Sequence, residues 1–125
     1  MKKPRILIVD DDASLLHLYE TALSHRGLKV FSANCAEDGL KLIEKEKPEL
    51  VITDIMMPQI HGLHFLDIIK ATPETKNQKV MVLTALDDQT TKEEALKFGA
   101  LDYIVKSQTT MSNVLERITE VVENG

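Results

Sequence analysis

A single cysteine, Cys35, is present in 125 residues, so the chain can form no internal disulfide, and a reducing, cytoplasmic setting is the expectation. No apolar stretch approaches the ~20 residues that a membrane-spanning helix needs. The start, MKKPRILIVDDD, turns acidic too early for a secretory leader, so no membrane role is expected. Basic residues do not cluster beyond Lys2, Lys3 and Arg5, and the formal net charge is −5. Direct nucleic-acid binding is therefore disfavoured, because phosphate contacts need grouped lysines and arginines. Repeats, low-complexity tracts and linkers are missing too. The length suits one domain over residues 1–125 with its own core.

What is present is an alternation of two patterns. Residues 5–10 (RILIVD) form a continuous apolar run of strand length, as buried parallel strands do. Asp12 then precedes a stretch with Leu15, Leu16, Tyr19, Ala22 and Leu23 on one helical stripe, stopped by Gly27. A short strand follows over 28–32, and Asn34 with Glu37 three residues later resembles a capping pair that opens a helix over 35–46. Pro48 breaks the chain before a strand at 50–54. A loop with Pro58 and Gly62 leads to a helix over 63–71, with Leu63, Phe65, Leu66, Ile68 and Ile69 available to a sheet. After a polar connector at 72–79, strands are predicted at 80–84 and 101–106. Between them lies a helix over 89–98, capped by Asp87 or Asp88 and ended at Gly99. Thr109 or Thr110 caps a last helix carrying Val114, Leu115, Ile118, Val121 and Val122 at helical spacing. Five strand signals alternating with five helix signals predict an α/β fold, a parallel sheet covered on both faces, because parallel strands need crossovers and the crossovers supply the helices.

Four of the predicted strands finish in polar or charged residues: Asp10 with Asp11 and Asp12, Asp54, Thr84 and Lys106. In such sheets ligands bind beyond the carboxyl ends of the strands, so one composite site is expected along that edge. Asp12 also reads as a plain helix cap, a lysine there as a solvated charge and a threonine as a turn residue. The combination favours chemistry. Carboxylates gathered at one edge repel each other, so a divalent metal, Lys106 or both should sit among them. Hard oxygen ligands with room for water suit Mg²⁺. Lys106 and the Thr84 hydroxyl could bond incoming phosphoryl oxygens, and Ala85 leaves space for a tetrahedral group. A carboxylate beside Mg²⁺ and an ammonium is a nucleophile for phosphoryl transfer, and Asp54, between the acidic pair and the Thr84/Lys106 side, is the best candidate.

On VDDD at 9–12, the segment from Asp54 through Met57 and Pro58 to Gly62, the Thr84–Ala85 pair and GALDYIVK at 99–106, the chain closely resembles the CheY-like receiver domain of two-component response regulators over essentially its whole length. The resemblance implies a flavodoxin-like (βα)5 fold with strand order 2-1-3-4-5. It implies Asp54 as phosphoacceptor, Asp10, Asp11 and Asp54 as Mg²⁺ ligands with the Met56 backbone carbonyl as a further one, and Lys106 as the clamp on the phosphoryl group. Thr84 and Tyr103 match a switch pair in which the hydroxyl moves to the phosphoryl group and the ring turns inward. That change repacks the face of the fourth helix, fifth strand and fifth helix, where partners bind. A sensor histidine kinase or a histidine phosphotransfer protein is the implied donor, and the downstream target is another protein unless the chain is a piece of a longer one. On this reading the domain is no enzyme in its own right, although it assists its own phosphorylation and dephosphorylation.

Two departures carry expectations. Ser107 stands where the family usually has a proline in a cis peptide. A cis bond without proline costs about 3 kcal/mol, so a trans bond and a rearranged loop at 106–107 are expected. His61 replaces a residue that is often acidic, a surface change of small effect. Leu86, two residues after Thr84, is apolar where polar groups are common. It could shield an aspartyl phosphate from water together with Met56. His61 and His64 at H-x-x-H spacing read as surface histidines rather than a transition-metal pair, and His17 and His25 as solvent-facing or boundary positions. Three rival functions remain. A dehalogenase-like aspartyl-phosphate phosphatase would use Asp10 and Asp12 but leave Asp54 idle. A flavodoxin-like cofactor carrier would need a phosphate loop where this chain has acids. A receiver-like docking module would not be phosphorylated at all.

Overall fold

The computed structural model describes residues 3–124, and Lys2, one of the basic residues at the start, lies outside them. Its elements run β1 (Arg5–Val9), α1 (Ala13–His25), β2 (Lys29–Ala33), α2 (Ala36–Glu46), β3 (Leu50–Thr53), α3 (Gly62–Ala71), β4 (Val80–Thr84), α4 (Gln89–Lys97), β5 (Asp102–Val105), a 3-10 turn (Lys106–Gln108) and α5 (Met111–Asn124). All pairings are parallel and the order is β2-β1-β3-β4-β5.

The period-2 alternation of the strands sorts the core into two layers. Leu7, Val9, Val51, Val80, Val82, Tyr103 and Val105 face the helices α2, α3 and α4, meeting Ile43, Phe65, Leu66, Ile69 and Ala95. Ile6, Ile8, Leu50, Ile52, Met81 and Leu83 face α1 and α5, meeting Leu16, Tyr19, Leu23, Val114, Leu115 and Ile118. The central strands β1, β3 and β4 are buried on both sides, which is why they read as unbroken apolar runs.

Helix ends follow local chemistry with some corrections. Asp12 caps α1 through the amides of Ser14 and Leu15, and Gly27 at φ +82° ends it. Asp88, not Asp87, caps α4 by accepting from the Thr91 amide, and Thr110, not Thr109, accepts from the Asn113 amide at the start of α5. The expected Asn34–Glu37 capping pair does not form. Cys35 is the extended N-cap residue of α2 and its side chain makes no capping bond. Packing sets that start, because Ala36 and Gly39 are the first-turn positions buried on the sheet, and Glu37 and Asp38 complement the helix dipole instead. β2 lies one residue later than predicted, and β5 is shorter at both ends: Leu101 is exposed and Lys106 leaves the strand to open the 3-10 turn.

Candidate functional site

The four buried polar residues of the described chain, Asp10, Thr53, Asp54 and Thr84, all lie at the carboxyl ends of β1, β3 and β4. Burying polar groups without partners costs free energy, so such a concentration at one edge needs a reason. β1 and β3 are neighbours, and from them the chain winds outward in opposite directions, to β2 on one side and to β4 and β5 on the other. Asp10 and Asp54 therefore flank the crevice between the two halves of the sheet.

The predicted site residues come together. The Lys106 ammonium lies 3.1 Å from Asp10 Oδ2 and 3.6 Å from Asp54 Oδ2. Asp10 Oδ1 accepts from the Asp12 amide at 2.9 Å. Asp54 Oδ1 accepts from the amides of Ile55 at 2.6 Å and Met56 at 3.2 Å, which leaves Oδ2 turned toward the lysine. Carboxylate oxygens of Asp10, Asp11 and Asp54 lie within 4.8 Å of one another. Burial pushes the Asp10 carboxyl up; the Asp12 amide and Lys106 oppose the rise, and the nearby Asp54 charge adds to it. Three carboxylates against one ammonium leave an excess of negative charge. The donor set, all oxygen with Asp11 exposed to solvent, fits a hard metal ion. Met56 follows on the same loop and is 57 % exposed.

Thr84 and Tyr103 meet on one loop. The Thr84 hydroxyl accepts from the Leu86 amide at 3.2 Å, and the Tyr103 hydroxyl donates to the Leu86 carbonyl at 2.8 Å, so the ring lies inward and buried. Burial raises the Tyr103 pKa, and the carboxylates of Asp88, Asp54 and Asp87 add to that. No peptide bond among the described residues is cis. The expected trans link at Lys106–Ser107 thus opens the 3-10 turn, and Gln108 from that turn donates to Asp87 across the sheet edge at 2.8 Å.

Other histidines and acids fall away from the site. His61 is the N-cap of α3, its Nδ1 accepting from the Leu63 amide at 3.2 Å, so it has a structural task beyond the neutral surface change expected of it. His17, His25 and His64 are exposed. Asp12 Oδ1 accepts the two amide bonds of the α1 cap. Two residues do more than their sequence reading assigns. Thr53 was hidden inside an apolar strand run, although a hydroxyl next to an end-of-strand aspartate could have marked it. Gly62, a loop residue that closes the segment carrying the family resemblance, also has a contact role: its amide donates to the Ile55 carbonyl at 2.8 Å and it lies against the Asp54 backbone.

The family model of the response regulator receiver domain matches residues 6–119. The probable transcriptional regulator ycf27 of Porphyridium aerugineum is 34% identical, covering 100% of this chain and 53% of the relative. The transcriptional regulatory protein AfsQ1 of Streptomyces coelicolor is 32% identical over 98% of this chain and 52% of its own length. The chain thus spans about half the length of these curated relatives. Among solved structures, the BeF3-activated N-terminal receiver domain of Klebsiella pneumoniae RstA superposes with a TM-score of 0.86 at 27% identity, covering 94% of this chain and 97% of that one. With the fold, the strand order and the family match in agreement, the chain belongs to the response regulator receiver domains of two-component systems.

Proposed function

We propose that this single receiver domain, residues 1–125, is a phosphorylation-controlled signalling switch of the cytoplasm, with Asp54 as its phosphoacceptor. The observation that carries the reading is the convergence of Asp10, Asp11, Asp54 and Lys106 at one sheet edge, with a single oxygen of Asp54 left free of backbone amides. That oxygen, Oδ2, attacks the phosphorus of a phosphohistidine. The P–N bond to the donor imidazole breaks, the electron pair leaves with the imidazole, and a P–O bond to Asp54 forms. Asp10, Asp11, Asp54 and the Met56 carbonyl would hold Mg²⁺, which would neutralise charge on the transferring group. Lys106 stands ready to bond a phosphoryl oxygen as it shifts from Asp10. A histidine kinase or histidine phosphotransfer protein fits as donor.

The output half of the proposal uses Thr84 and Tyr103. A phosphoryl group on Asp54 draws the Thr84 hydroxyl away from the Leu86 amide, and the loop that holds the Tyr103 hydroxyl moves with it. Leu96, Phe98 and Leu101, three of the five large exposed hydrophobics of the described chain, lie at the end of α4 and in the turn that leads to β5, which supports the α4–β5–α5 face as the partner surface. The relatives above are named as transcriptional regulators, so control of transcription is the output this reading favours.

The test is direct. Incubation with a small phosphodonor and Mg²⁺ should add one hydroxylamine-labile phosphoryl group by intact mass. Asp54→Ala should add none. Labelling that persists in Asp54→Ala and disappears in Asp10→Ala would overturn the reading in favour of an aspartyl-phosphate phosphatase. A second expectation concerns lifetime. Leu86, two residues after Thr84, is half-buried against the core, and Met56, two residues after Asp54, is exposed; both are apolar. Leu86→Asn should admit water and speed loss of the group about threefold, equal to roughly 0.7 kcal/mol of barrier, measured as the decay of the phosphorylated mass. An unchanged decay would remove Leu86 from the shield.

A further inference from the structure

We propose that Thr53 is a positioning residue for the Asp54 carboxylate, acting through the peptide unit that joins Asp54 to Ile55. The inference rests on the phosphoacceptor reading above. Thr53 is fully buried at the end of β3, on the face that meets α3, and its hydroxyl donates to the Asp54 carbonyl oxygen at 2.9 Å. The same planar peptide unit carries the Ile55 N–H, which points opposite to that carbonyl and donates to Asp54 Oδ1 at 2.6 Å. Fixing the carbonyl therefore aims the amide. With Oδ1 held by Ile55 and Met56, the carboxylate cannot turn freely, and Oδ2 stays directed at the Lys106 ammonium 3.6 Å away.

Gly62 completes the clamp from the other side. A Cβ there would stand 2.3 Å from the Asp54 carbonyl oxygen and 2.5 Å from the Ile55 Cα, so only a bare Cα lets α3 begin against this peptide. The Gly62 amide also ties down the Ile55 carbonyl at 2.8 Å. The peptide is thus held at its carbonyl by Thr53 and at its amide by the side chain of its own aspartate, and the next peptide is tied to the start of α3 by Gly62. A buried threonine could instead donate to the nearest carbonyl only to satisfy itself. The two accounts differ in what the hydroxyl does to Ile55 and to the reaction.

The experiment compares Thr53→Val, which keeps the branched shape and loses the donor, with Thr53→Ser, which keeps the donor. The first readout is the Ile55 amide proton in a ¹H–¹⁵N spectrum of the whole chain, which needs no phosphorylation. The second is the rate constant of phosphoryl incorporation from a small phosphodonor at saturating Mg²⁺. Thr53→Val should move the Ile55 resonance upfield, out of its strongly hydrogen-bonded position, and slow incorporation about tenfold, because a small misplacement of a reacting group is costly. Thr53→Ser should restore both. An unmoved Ile55 resonance in Thr53→Val, or a moved one with an unchanged rate, overturns the proposal. So does a Thr53→Ser as slow as Thr53→Val, which would make shape rather than the hydroxyl the cause. Should Thr53→Val fail to fold, Thr53→Ser against Thr53→Ala makes the same comparison of donor present and donor absent. If the unaltered chain takes up no phosphoryl group, the phosphoacceptor reading fails, and the Ile55 resonance alone still decides whether the hydroxyl aims the peptide.

Discussion

Gly62→Ala should unfold at a temperature about 10 °C below the unaltered chain and should bind and transfer a phosphoryl group poorly even where it remains folded. The methyl group would meet the Asp54 carbonyl oxygen at 2.3 Å and the Ile55 Cα at 2.5 Å. Both are backbone atoms, so no side chain can swing aside to make room. Either α3 retreats from the sheet or the Asp54–Ile55 peptide turns. Retreat of α3 loosens Phe65, Leu66 and Ile69, which are fully buried against the central strands. Overpacking of this kind costs about 3 kcal/mol, and about 1 kcal/mol corresponds to roughly 3–5 °C in a domain of this size. Turning the peptide is no escape, because it takes the Ile55 amide away from Asp54 Oδ1. Thermal unfolding by circular dichroism measures the first effect. A melting temperature within a degree or two of the unaltered chain would mean that the approach of α3 to Asp54 is slack. Gly39 makes a useful contrast. A Cβ there would stand 3.1 Å from the Phe65 ring and a Val9 methyl, side-chain atoms that can yield by a few tenths of an ångström.

The strands were legible because burial on both faces leaves a residue pattern with little ambiguity: ILIV, LVIT and VMVL can hardly serve anything but the middle of a covered sheet. Alternation with amphipathic stretches then implied parallel pairing. The spatial order of the strands was a different matter. It came from the family resemblance, since connection rules narrow the topologies without selecting one. Candidate site residues are readable where polar types interrupt or end an apolar run, as at Asp10, Asp54, Thr84 and Lys106. They are invisible where a residue works through the backbone. Thr53 looks like an ordinary β-branched strand residue, and only the folded strand end brings its hydroxyl to the Asp54 carbonyl. The start of α2 was misread for a related reason. Asn34 and Glu37 have the spacing of a capping pair, yet the helix begins where Ala36 and Gly39 can be buried, and packing outweighs a cap worth about 1 kcal/mol. His61 reads from sequence as a departure from a family habit and as one half of an H-x-x-H pair at the surface, whereas its Nδ1 serves the first turn of α3.

Asp10→Asn should stabilise the metal-free chain at neutral pH and abolish the stabilisation that Mg²⁺ gives the unaltered one. Asp10 is nearly inaccessible, and its folded-state pKa is raised above 3.8, chiefly by burial. As pH climbs from 3.8 toward the raised value, the unfolded chain gives up this proton first and the folded chain holds it longer. With more protons bound in the folded state, stability from this group falls as pH rises through that window, and at neutral pH the fold bears the whole cost of the buried charge. Asparagine removes the charge yet keeps an oxygen for the Asp12 amide, which now bonds Asp10 Oδ1. The Lys106 ammonium loses its partner at 3.1 Å but retains Asp54 at 3.6 Å. In EDTA at pH 7 the variant should therefore melt several degrees higher, with the gap closing below about pH 4 as both states of the unaltered chain become protonated. Millimolar Mg²⁺ should reverse the order. A cation that binds only the folded state adds stability in proportion to the logarithm of its occupancy ratio, and the variant has lost one of the three carboxylates that gather there. Melting curves with EDTA and with Mg²⁺ at pH 4 and pH 7 test every sign. A variant that melts lower than the unaltered chain in EDTA at pH 7 would mean that the Lys106 pairing more than offsets the burial of Asp10, and the carboxylate edge would then be a structural ion pair rather than a site held in tension for a metal ion.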